Sequence, residues 1–194
     1  IMALVKNAAL LAALLLGMQA NAAVVSANGS NHSLNSAQSL NGLFTQEFSA
    51  EVTDSTLIPH ATVNGVGHDA WDYYSFTLKA PASVLFDVDH AMPGFDSWLS
   101  LYTADGASLG SHDDGHAGDA GSVHGFDGYW NYAFANAGTY IIGVGKYSNS
   151  VIPEGKSYTL NISTVAAVPE PETYALLGIG LLGMFAAQRR KRMA

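Results

Sequence analysis

The sequence has no cysteine. That excludes disulfide staples and thiol chemistry, so a domain of this length must rest on its own core. Cations are scarce too: eight Lys and Arg stand against sixteen Asp and Glu. Most of them sit near the two ends, at Lys6 and at Arg189, Arg190, Lys191 and Arg192. Between residues 23 and 167 only Lys79, Lys146 and Lys156 remain. They face fourteen acids, a net charge of −11 for that stretch. Such a surface repels nucleic acid and anionic lipid, so neither is an expected partner of it. The same stretch lacks a helical hydrophobic period. It also lacks the Gly-x-Ser-x-Gly elbow of a serine hydrolase.

The two ends carry what the middle does not. Lys6 precedes an apolar run from Ala8 to Met18, followed by Ala20-Asn21-Ala22. A charged start, a short apolar stretch and a small-x-small site make a signal peptide over residues 1–22, with signal peptidase as its partner. At the other end Val168-Pro169-Glu170-Pro171 leads into an apolar run from Tyr174 to Ala187, closed by Arg189-Arg190-Lys191-Arg192. Two prolines so close together continue neither a helix nor a central strand, so this is an extended linker. As a helix the 14 apolar residues span about 21 Å, short of a hydrocarbon core of about 30 Å. Residues 174–188 therefore read as a marginal, temporary membrane anchor with a basic cytoplasmic stop.

Linker, helix and basic end, in that order, resemble the PEP-CTERM sorting signal of Gram-negative bacteria, here assigned to residues 166–194. The resemblance implies that an exosortase recognises the tail and cuts near the Pro-Glu-Pro. It implies export through a transient inner-membrane anchor to the cell surface or extracellular matrix.

What lies between the addresses is strand-rich. Asp72 to Leu78 alternates, with Tyr74, Phe76 and Leu78 on one face. Ser83 to Asp89 alternates with Val84, Phe86 and Val88 on one side and Leu85, Asp87 and Asp89 on the other. Trp98 to Tyr102 turns Leu99 and Leu101 inward. Tyr129 to Phe134 and Tyr158 to Ile162 add further strands, and Gly138 to Val144 is apolar on both faces, as a central strand is. Weaker strands are expected at 42–48 and 61–65. Residues 23–35, small and polar, read as a flexible leader. About eight short strands predict an all-β, antiparallel, jelly-roll-like sandwich over 36–165, flanked by the signal helix and the C-terminal transmembrane helix.

Asp72-Tyr73-Tyr74-Ser75-Phe76-Thr77, Phe86-Asp87-Val88-Asp89, Phe95-Asp96-Ser97-Trp98-Leu99-Ser100-Leu101-Tyr102, Asp113-Asp114-Gly115 and Ala137-Gly138-Thr139-Tyr140-Ile141-Ile142-Gly143-Val144-Gly145 together resemble the bacterial pre-peptidase C-terminal (PPC) domain. That resemblance implies a jelly-roll-like sandwich, usually an accessory to secreted hydrolases, with calcium bound in some members.

The acids support the calcium idea on their own chemistry. Asp87 and Asp89 leave one face of a strand, Asp96 lies across a short turn, and Asp113, Asp114 and Asp119 sit in a Gly-rich loop. Carboxylates gathered together repel unless a cation bridges them, and an all-oxygen set without Cys favours Ca²⁺. The bland alternative is that these aspartates cap turns. His112-Asp113-Asp114-Gly115-His116 has zincin-like spacing, but two aspartates and a glycine oppose the helix that chemistry needs. His60, His68, His90, His112, His116 and His124 read as surface loop residues. Trp71, Trp98, Trp130, Tyr102 and Tyr129 serve either as core or as a sugar-stacking platform. Trp98 and Tyr102, which share a strand face, are the candidate glycan contacts. The expected protein is an exported, non-catalytic, calcium-binding β-sandwich, and the second reading is a carbohydrate-binding module for exopolysaccharide.

Overall fold

In a computed structural model the described residues are 24–49, 51–52, 58–115, 120–123 and 125–165. The two terminal addresses, with Val168 to Pro171 and Arg189 to Arg192, lie outside them, as do Asp119, His116 and His124. Ten strands follow in order: β1 (Val24–Ser26), β2 (Gln38–Ser39), β3 (His60–Val66), β4 (Asp72–Leu78), β5 (Ala82–Asp89), β6 (Ser97–Thr103), β7 (Ser108–His112), β8 (Tyr129–Phe134), β9 (Gly138–Lys146) and β10 (Ser157–Val165). A single 3-10 turn, Leu34–Ser36, is held by reciprocal bonds between Ser33 and Ser36.

The strands form two five-stranded sheets, ordered β1-β3-β10-β5-β8 and β2-β4-β9-β6-β7. Alternation decides what lies between them. From the first sheet Val63, Val84, Phe86, Val88, Leu160 and Ile162 are fully buried. From the second, Tyr74, Phe76, Leu99, Leu101, Ile142 and Val144 join them in one core cluster. Two sheets sharing one apolar layer are a β-sandwich. Each buried phenylalanine contributes about 1.5–3 kcal/mol by leaving water. Phe76 and Phe86 meet across the layer at 5.6 Å. At one edge the sheets close where His112 of β7 stacks on Trp130 of β8, ring centroids 5.9 Å apart.

A polar relay ties the sheets together inside this layer. The Tyr158 hydroxyl donates to Asp72 at 2.7 Å, and the Tyr74 and Tyr158 hydroxyls lie 2.8 Å apart. Burial pushes the Asp72 carboxyl above its usual range, against the pull of Tyr158 and of His32 and His68. His32 Nδ1 lies 3.4 Å from Asp72. The Tyr158 phenol is driven well above its ordinary value, again by burial.

Three expectations need correction. The sheets are mixed, not purely antiparallel: β1 runs parallel to β3 and β2 parallel to β4. Val24–Ser26 and Gln38–Ser39 carry little apolar alternation and pair through their backbones, which composition does not reveal. The segment 23–35, read as a leader, thus supplies an edge strand at Val24–Ser26, and Asn31 within it is fully buried. The weak strand expected at 42–48 is only a bridge between Thr45 and His60. Among the described residues no helix is long and apolar enough to cross a membrane.

Candidate functional site

The outward face of the first sheet is polar and covered. Asp87 and Asp89 of β5 point away from the core, yet only 2% and 0% of their surfaces reach solvent. Beside them on β10, Asn161 is 1% exposed; its amide donates to Asp89 at 2.7 Å and its carbonyl accepts from Thr62 Oγ1 at 2.6 Å. Two segments lie over this face. One runs from Thr45, bridged to His60, to Glu51, bonded to His90 at 2.8 Å. The other is the loop after β7. Gly128 O accepts from Val88 N, Gly121 O accepts from His90 N, and Gly128 N donates to Ser97 Oγ. Gly121 sits so close to Asp89 that a Cβ there would fall 2.5 Å from the carboxylate, and its φ of +98° suits glycine.

Asp127, in this loop, is 1% exposed and accepts from Val123 N at 2.8 Å. Asp96 is half-buried just before β6, and its carbonyl accepts from Tyr147 N. Asp113 is half-buried, with its carbonyl beside Gly128. Asp114 is exposed. Asp87 and Asp89 are thus buried on β5 and Asp127 is buried within the loop itself, whereas Asp114 faces water. Among the described residues no group of three or more His, Asp or Glu side chains is arranged to hold a metal.

The histidines divide. His60 is not a surface residue: it is 1% exposed on β3, its Nδ1 3.0 Å from Ile58 O. Its neighbour Thr45 and the overlying segment bury it, a long-range effect. His32 and His68 meet edge-on at 5.9 Å.

The outward face of the second sheet is of another kind. Trp98 and Tyr102 share it, as alternation predicts, and both are half-buried. They have company that periodicity did not single out. Trp71 and Tyr73 stack at 6.1 Å with 22° between planes, and Tyr73 meets Tyr102 at 6.2 Å. None of the four belongs to the core cluster or packs against it. Elsewhere, between the sheet ends, a cleft of about 860 Å³ is lined by Phe44, Pro59, Leu78, Lys79, Pro81 and Thr164.

Residues 71–146, which hold β4 to β9, match the family described as the bacterial pre-peptidase C-terminal domain. Residues 167–191 match the PEP-CTERM protein-sorting motif. The chain carries a PEP-CTERM sorting motif and a PPC-like domain. Among solved structures it is similar to the periplasmic g-type lysozyme inhibitor PliG of Aeromonas hydrophila, at 15% identity, covering 66% of this chain and 97% of that one, TM-score 0.41. It is also similar to the pre-peptidase C-terminal domain of a Bacillus anthracis collagenase, at 19% identity, 55% and 89% coverage, TM-score 0.37. A third is the CBM36-1 domain of a xylanase from the Trinervitermes trinervoides hindgut metagenome, at 11% identity, 64% and 93% coverage, TM-score 0.29. No curated protein matches the chain. The PEP-CTERM motif implies export and recognition by an exosortase, and neither matched family is a catalytic type. In the PPC-like domain the match ends at Lys146, so β10, which supplies Asn161 and Tyr158, lies beyond it.

Proposed function

We propose that this is an exported, non-catalytic β-sandwich which an exosortase delivers to the cell surface or extracellular matrix, and that it binds Ca²⁺ beneath the loop after β7. The observation that carries the metal reading is the burial of Asp87 and Asp89 on β5 and of Asp127 in the Gly-rich loop after β7, at 2%, 0% and 1% exposure. Removing carboxylates from water is expensive unless positive charge or hydrogen bonds replace it. The donor set fits a hard ion: carboxylate and backbone oxygens, no thiol. Asp87 and Asp89 form its centre. Asp96 and Asp113 complete it, Asp119 of the sequence-based set lies outside the described residues, and Asp127 is added to that set. Asp114, exposed as it is, contributes charge at the rim.

The test is thermal unfolding of the purified protein with EDTA and with CaCl₂. At a hundredfold excess over Kd, binding adds about 2.7 kcal/mol to stability, which for a domain of this size raises the melting temperature by roughly 5–10 °C. Asp87→Asn should abolish the Ca²⁺-dependent rise whatever its own effect on the metal-free melting point. A protein whose transition ignores CaCl₂ refutes the metal site but leaves the sorting role standing.

A further inference from the structure

The second sheet's outward face has a floor made for flat rings. Its central strand, β9, presents Gly143 and Gly145 to that side. A Cβ at Gly145 would fall 2.5–2.6 Å from Cζ2, Cε2 and Cη2 of Trp71. Three consecutive ring atoms at nearly one distance place that point over the ring face, not beyond its edge. A Cβ at Gly143 would likewise meet Tyr73 at 2.9 and 3.1 Å. Trp71 therefore lies face-down on Gly145 with its opposite face turned outward, and Tyr73, stacked beside it, brings its Cδ1–Cε1 edge to Gly143.

Register extends this row across three strands. Tyr73 pairs with Gly143, which pairs with Ser100; Gly145 pairs with Trp98; Ile141 pairs with Tyr102. Tyr102 leans to Tyr73 across the gap that Gly143 leaves. At the other end Trp98 donates its Nε1 to Ser100 Oγ at 3.1 Å and meets Tyr147, itself 51% exposed, edge-on at 6.1 Å. The charge pattern is as pointed as the shape. Within Tyr73–Thr77, Trp98–Tyr102 and Thr139–Gly145 there is no charged residue, in a domain that is otherwise strongly acidic.

We infer that this face binds a neutral polysaccharide chain, laid across Trp71, Tyr73 and Tyr102 with Trp98 and Tyr147 at one end. A pyranose ring offers a flat C–H face that suits the negative face of an aromatic ring, and equatorial hydroxyls that the phenols and serines at the margins can bond. An uncharged platform on a domain of net charge −11 selects against nucleic acids and uronate-rich polymers. Rings already fixed by their glycine floor lose little conformational freedom on binding. The platform stands on the sheet opposite the buried acids, so the inference is independent of the metal proposal.

Affinity electrophoresis of the native protein through gels holding hydroxyethylcellulose, laminarin, xylan or dextran tests it, with polygalacturonate as the charged comparison. Retardation by at least one neutral polymer is expected, together with a change in tryptophan emission. Trp71→Ala and Tyr102→Ala should each weaken it tenfold or more, whereas Tyr73→Phe, which keeps the ring, should weaken it less than threefold. Melting curves of the variants, compared with the parent, report whether the fold is kept. Should a substitution prevent folding, Trp98→Ala at the end of the row supplies the same reading. Retardation by none of the four neutral polymers overturns the inference, as does retardation by polygalacturonate alone. Binding that survives both alanine variants overturns it too. So does a concentration-dependent dimer that these variants dissociate, which would make the face a contact between copies.

Discussion

The two outer faces of this sandwich solve opposite problems. On the first sheet Thr62, Asp87, Asp89 and Asn161 turn away from the core, and two segments of chain cover them until at most 8% of any remains exposed. On the second sheet Trp71, Tyr73, Trp98 and Tyr102 turn away from the same core and stay half open to solvent. A protein that followed only the rule of apolar inside and polar outside would do the reverse on both. The polar residues are buried because they satisfy one another: Asn161 spans Thr62 and Asp89 in two short bonds. The aromatic residues stay partly open to solvent, and Gly145 beneath Trp71 lets that ring settle flat. Such departures from the bland pattern mark where a fold does something other than stay folded. The covered face is built to hold charge in place, the open face to meet a partner.

The largest expected effect breaks the covered face. Asn161→Ala removes a donor from a buried carboxylate and an acceptor from a buried hydroxyl. Hydrogen bonds to charged groups contribute about 1.5–3 kcal/mol, and a stranded buried polar group costs a similar amount. A loss of about 3 kcal/mol in urea unfolding is expected. Ser75→Ala on the open face is the matched control and should stay within about 0.5 kcal/mol. Equal losses from the two substitutions would erase the distinction between the faces.

How much of this contrast was legible beforehand depended on range. Alternation over six or seven residues put Tyr74, Phe76, Val84, Phe86, Leu99 and Leu101 inside, and placed Asp87 with Asp89 and Trp98 with Tyr102 on outward faces. The structure agrees in each case. β7 was not foreseen, because Ser108 to His112 has neither alternation nor β-branched residues. Nor were β1 and β2, whose pairing is a matter of backbone bonds at sheet edges. Trp71 and Tyr73 gain their meaning from Gly143 and Gly145, some seventy residues away, and His60 is hidden by the chain around Thr45. Register between distant strands is what a local pattern does not contain. The sorting tail is the opposite case, three parts in tandem within one short stretch, and there sequence alone was enough.

The next effect sharpens the open face. Gly145→Val puts two methyls where the Trp71 ring now rests. In a closed core such overpacking costs about 1–3 kcal/mol. Here the ring has solvent above it and can swing away, so the cost should sit near the low end, about 1 kcal/mol. The same substitution lifts the indole into water, so its fluorescence should shift to the red. A larger loss with no emission shift would mean that the aromatic layer is clamped from above, and the two faces would then be alike.

The smallest effect concerns the strap over the covered face, and its sign follows from the ionisation of His90. The hydrogen bond that His90 donates to Glu51, aided by the charges of Glu51, Asp89 and Asp127, raises the His90 pKa above its usual value, while burial works the other way. A base whose folded pKa is raised binds its proton more tightly when folded. The stabilisation is therefore fully present below the unfolded pKa near 6.5 and fades as pH climbs through the folded value. The His90 side chain is 51% exposed and Glu51 is 37% exposed, so solvent and salt weaken the pair. The melting temperature should fall modestly from pH 6 to pH 8.5, and Glu51→Gln should remove the greater part of that slope. The variant should melt below the parent at pH 6 and coincide with it at pH 8.5. If the slope is unchanged in the variant, then Glu51 does not fasten the 44–52 segment across the acids, and the cover on that face depends on Val52 and the Thr45 bridge instead.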